Sequence, residues 1–190
     1  MALFGNDFDQ VQVGGDFKAL PAGGYVCRII KAKQTTSSDG LPMVEAMIDI
    51  IDGEYEKYFG NLYRSKQASD PTAKYPYNGI CKVKAVDAEG HTKKLFKSFC
   101  TAIEQSNDME LPRHDDAFIK ALNGKEIGVI FGREEYMGND GKAHWSTKPR
   151  WYRSTENIYS GNYQVPDDQP LDPSVKADSF SAAEDDIPFN

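Results

Sequence analysis

The hydrophobic period of this chain changes twice, and that change limits the folds open to it. In Tyr25–Lys33 and Pro42–Ile51 the residues are β-prone, and Val44, Ala46, Ile48 and Ile50 alternate with polar neighbours such as Glu45 and Asp49. A period of two is that of a half-buried strand. Between His91 and Asn107 the spacing becomes helical, with Leu95, Phe96, Phe99, Cys100 and Ile103 on one side and Lys93, Lys94, Lys97 and Glu104 on the other. From Lys125 to Met137 and from Lys142 to Arg153 the strand pattern returns. The punctuation agrees. Asp39-Gly40, Asp52-Gly53 and Gly138-Asn139-Asp140-Gly141 are reversal signals, and Asn123-Gly124 ends a second short helix predicted over Asp115–Leu122.

Glu54–Ser65, loaded with Tyr55, Tyr58, Phe59 and Tyr63, reads as a third strand. The order is then strand-strand-strand-helix-strand-strand, which is that of the OB-fold, a five-stranded and partly open β barrel. The chain is therefore expected to be mainly β, with an OB-fold barrel over residues 20–160. Residues 67–90, broken by Pro71, Pro76, Gly79 and Gly90, stand as an insertion in which Ile80–Val86 could add a short strand. Residues 1–19 read as an N-terminal arm, and residues 161–190 as a disordered acidic tail with no core of its own. Charge divides along the same line. The formal net charge is −7, of which −6 falls in residues 161–190, so the body is nearly neutral and its cations are free to gather on one face.

The tail ends in Glu184-Asp185-Asp186-Ile187-Pro188-Phe189-Asn190. Carboxylates keep such a segment solvated, Pro188 denies it a helix, and Ile187 and Phe189 are apolar groups in want of a partner. This tip resembles the acidic C-terminus of bacterial and phage single-stranded-DNA-binding proteins. Leu20-Pro21-Ala22-Gly23-Gly24-Tyr25, with the Asp52-Gly53-Glu54-Tyr55 turn and the Gly138–Gly141 hairpin, resembles a family of phage-encoded proteins of replication and recombination, over about residues 20–153. The resemblance implies an OB-fold that binds and protects single-stranded DNA during phage replication, recombination and repair. It also implies that Asp185, Asp186, Ile187, Pro188 and Phe189 recruit replication and recombination proteins. In the family the Phe is usually the last residue; here Asn190 follows it.

Binding single strands takes cations for phosphates and flat apolar surfaces for bases. Both occur together on two of the expected strands. Lys57, Phe59, Tyr63 and Arg64 lie on the third; Trp145, Lys148, Arg150, Trp151 and Arg153 lie on the last, with Arg133 and Tyr136 on its partner. Regular alternation puts Trp145 and Trp151, the two tryptophans of the chain, on one face. About half of these aromatics must fill the core. A smaller group, Tyr75-Pro76-Tyr77 with Lys74, Lys82 and Lys84, could cover a bound strand.

Other chemistries find less support. Cys27, Cys81 and Cys100 are odd in number and far apart, which argues against a disulfide framework and a zinc knuckle. His91, His114 and His144 have no ligand at metal spacing. Asp49, Asp52 and Glu54 gather around Gly53 as a solvated reversal would, and no second acidic group joins them to hold a metal ion. The expectation is a protein without catalysis, cofactor, metal or membrane span, working in the bacterial host cytoplasm on single-stranded DNA, with a homodimer left open. A single-strand annealing or recombination mediator is the alternative within nucleic-acid biology. An OB-like protein-interaction module without nucleic-acid binding is the alternative outside it.

Overall fold

The computed structural model describes residues 18–172. Two long strands, β1 (Gly23–Thr36) and β2 (Pro42–Ile50), pair antiparallel through the Asp39-Gly40 reversal, where Gly40 holds φ at 81°. Then follow α1 (Tyr58–Ser69), a 3₁₀ turn (Tyr77–Gly79), β3 (Ile80–Lys84), α2 (Lys94–Asn107), α3 (Asp115–Leu122), β4 (Glu126–Met137), β5 (Ala143–Arg153) and α4 (Thr155–Tyr159). The strands form one antiparallel sheet in the order β3-β2-β1-β4-β5. The protein is therefore mainly β, with the main helix between the third and fourth strands as expected. The sheet is not closed into a barrel: β3 and β5 are its two edges, and no ladder joins them among the described residues.

The expected third strand is a helix. Asp49, at the end of β2, accepts the backbone N–H groups of Phe59 (3.0 Å) and Gly60 (3.1 Å), satisfying two of the donors that a helix start leaves open. Gly60 permits that approach, since a Cβ there would stand 2.5 Å from the Asp49 carboxylate. Phe59, Leu62 and Tyr63 are then at helical i, i+3, i+4 spacing. Aromatic content suggested a strand, but the carboxylate and the spacing decide for a helix. The third strand lies instead inside the supposed insertion, where Ile80–Lys84 pairs with β2 from Met47 to Met43.

Inner faces of β1, β2 and β4 supply Cys27, Ile29, Ile48, Ile50, Ile127, Val129 and Phe131 to the core; Phe59 of α1, Phe99 and Ile103 of α2, and Leu122 of α3 cover them. All three thiols are buried and unpaired, and burial pushes Cys81 up to about 12 and Cys100 up to about 11, so they behave as small apolar fillers. The outer face of β1 and β4 is covered too. Ile158 of α4 fills the space over Gly128, and the Tyr163 ring fills that over Gly24; a side chain at either glycine would collide with it.

Residues 161–172 do not hang free. Pro166 is buried over Gly132, Asp168 pairs with Arg133 at 3.2 Å, and Gln169 hydrogen-bonds one edge of β4 through both its backbone groups: its N–H donates to Arg133 O (3.0 Å), and its carbonyl accepts from Glu135 N–H (2.8 Å). The stretch begins as a strap along β4, not as a tail. No helix among the described residues is long and apolar enough to cross a membrane.

Candidate nucleic-acid interface

β5 is an edge strand, and one irregularity in it governs the site. Ile130 faces Trp151 and Phe131 faces Pro149, so Arg150 is an extra residue, a β-bulge. A one-residue slip exchanges the faces of everything beyond it. Tyr152, opposite Val129, points into the core and Trp151, opposite Ile130, points outward. Past the bulge Pro149 shares the Phe131 face, and Thr147 and Trp145 continue it. The two tryptophans that regular alternation puts together are thus on opposite faces.

Trp145 borders a cleft of about 520 Å³ between α1, the 3₁₀ turn and β5. Its ring, 42% exposed, carries the Arg133 guanidinium 4.7 Å from its centroid. The same cleft is lined by Tyr77, 58% exposed, with Lys82 Nζ at 4.6 Å and Lys148 Nζ at 5.7 Å from its ring centroid. Asn78 Nδ2 donates to Ser146 Oγ at 3.0 Å, fixing the turn against β5. Tyr136, tilted against His144 with ring centroids 5.8 Å apart, adds a third exposed ring, and Lys66 borders the cleft from α1. Lys66 has no ion pair among the described residues. Flat rings and ammonium groups around one groove are what stacked bases and their phosphates require.

The other predicted residues divide. Phe59 is 1% exposed and stacks on Phe131 at 5.9 Å, so it is core and no base platform, because α1 turns it inward. Tyr63 packs on Tyr75 at 5.4 Å and its hydroxyl accepts from Gln67, so it supports the fold. Lys57 sits in the turn before α1 with φ of 58° and pairs with Glu56 at 3.1 Å; Arg64 donates to Asn61 on α1. Neither lines the Trp145 cleft. Lys148 and Arg150 share Glu134, at 3.5 and 3.2 Å. Such partly exposed pairs are worth about 0–1 kcal/mol, small enough for a phosphate to displace the carboxylate. Trp151 and Arg153 line a different cleft of about 880 Å³, closed by the start of α2 and by Asn157–Gln164. Tyr77 and Lys66, which complete the first cleft, escaped the alternation argument because neither is on a strand; the flanking Lys74 and Lys82 were the signal for Tyr77. Asp185, Asp186, Ile187, Pro188 and Phe189 lie outside the described residues.

The acidic turn after β2 has its own employment. Asp49 binds backbone N–H groups; burial outweighs those bonds and raises its pKa. Asp52 accepts from Gly53 N–H, and Glu54 pairs with Lys18 at 2.7 Å. The one group among the described residues with three possible metal ligands in reach is Asp87, Glu89 and His91, an exposed loop whose Asp87 carboxylate already accepts the N–H of Glu89 and of His91.

The fold and cleft define a single-sheet β protein with an aromatic and cationic groove at its open side. The chain belongs to the family described as protein of unknown function DUF669, whose model matches residues 6–157. No curated protein matches the sequence closely enough to count as a relative.

Proposed function

We propose that this protein binds single-stranded DNA, largely without sequence preference, in the cleft between Trp145 and Tyr77. One observation carries the reading: two exposed rings line one groove, and each is attended by cations, Arg133 on Trp145 and Lys82 and Lys148 on Tyr77. In this reading the sheet is an OB barrel left open between β3 and β5, with the 3₁₀ turn as one lip. Contacts of Tyr77 with Lys148 and of Asn78 with Ser146 across the gap support that curvature. The protein would coat exposed strands in phage replication and recombination, acting as a binder and not as an enzyme, while Asp185–Phe189 recruits partner proteins.

Titrating the protein with oligo(dT), read by tryptophan emission at several salt concentrations, tests this. Affinity is expected to fall linearly on a log–log plot, by roughly 0.7 in slope for each phosphate contact on a single strand. Lys148→Gln and Lys66→Gln should each flatten the slope by about that amount and weaken all sequences alike. If folded protein gives no binding at any salt concentration, the groove serves a protein partner instead. Loss confined to one sequence with the slope intact would mean base readout.

A further inference from the structure

Resting on that reading, we propose that the Trp151 cleft is a second, independent single-strand site, so that one domain holds two DNA segments on opposite faces of β5. The bulge at Arg150 is the reason. It rotates Trp151 out of the Trp145 face and into a separate cleft. Trp151 is 39% exposed and stands on an edge strand. Arg153, two residues on, is exposed, and its guanidinium donates to Tyr152 O and enters no carboxylate pair among the described residues. Lys94 borders the same cleft from α2, and no Asp or Glu lines it. The same cleft is lined by the amides Asn162, whose Nδ2 donates to Asn157 Oδ1 at 3.2 Å, and Gln164, groups that hydrogen-bond to base edges. A ring for a base, cations for a phosphate and amides for an edge are the chemistry of a nucleotide, at a distance along β5 that the first cleft does not cover.

Each cleft contains one of the two tryptophans, so each can be followed alone. Trp145→Phe leaves Trp151 as reporter, and Trp151→Phe leaves Trp145. Both variants should respond to a short oligo(dT), and wild type should take up two molecules of it. Trp151→Ala should weaken one of these two sites about 5- to 150-fold, leaving the Trp145 response unchanged. Arg153→Gln, which keeps the ring, should weaken the same site and lower its salt slope. The wild type should speed pairing of complementary oligonucleotides, and Trp151→Ala should not. A Trp145 response with one oligonucleotide bound and a silent Trp151 overturns the second site and spares the first. Silence at both tryptophans, with no binding, overturns the reading on which it rests.

Discussion

Replacing Phe59 with Ala is expected to lower the free energy of unfolding by about 3–5 kcal/mol. The ring is 1% exposed, stacks on Phe131 and meets Tyr58 edge-on at 5.2 Å, so its removal leaves a cavity where α1 meets the sheet. Gly79 shows how little room there is, since a Cβ on it would stand 2.9 Å from the Phe59 ring. A domain of this size has about 5–15 kcal/mol to lose, so the variant should be severely destabilised. The measurement is urea unfolding, with the midpoint falling and the slope held. DNA affinity per folded molecule should stay close to wild type if α1 keeps its position. A variant as stable as wild type but unable to bind oligo(dT) would return Phe59 to the interface.

Trp145→Ala is expected to do the reverse, leaving stability close to wild type and weakening oligo(dT) binding about 5- to 150-fold, the worth of one stacked base at about 1–3 kcal/mol. The ring is 42% exposed and its one described cationic partner, Arg133, keeps Asp168, so little folding energy depends on it. Tyr77→Ala should add to the loss, because a second ring of the groove is gone and Lys82 and Lys148 lose the surface they lie over. Equilibrium titration by anisotropy of labelled oligo(dT) reads both. Unchanged affinity in the folded double variant would remove the groove from DNA binding.

What could be read in the sequence followed periodicity. β1, β2, α2, α3, β4 and β5 fall close to where alternation, helical spacing and the glycine turns put them, because each buries one regular stripe. α1 was misread because its start depends on Asp49, ten residues upstream of Phe59; a carboxylate reaching across a turn leaves no local pattern. β3 falls within Ile80–Val86, where a short strand was legible, but its five residues among prolines and glycines did not mark it as the third strand of the sheet. For the site, residue types were legible and faces were not. Pro149, a residue that strands admit at edges and bulges, is the one sign of the extra Arg150, and that one residue separates two rings that alternation would unite. α4 and the strap beyond it went unread because Ile158, Tyr163 and Pro166 bury singly against glycines, which makes no periodic stripe.

The strap has a consequence for how these molecules behave toward each other. β4 is paired with β1 only as far as Phe131, so its N–H and C=O groups beyond that point, on the side away from β5, would otherwise face water as an open ladder. An unpaired strand edge is a template on which another chain can add and aggregate. Gln169 takes the hydrogen bonds of Arg133 and Glu135 on that edge, Leu171 N–H takes the Glu135 carboxylate, and Pro166 presents no donor of its own. Twelve residues that composition alone would assign to a tail thus keep the sheet from growing sideways, and a chain cut at Gly161 would give up its guard against self-association along with its charge.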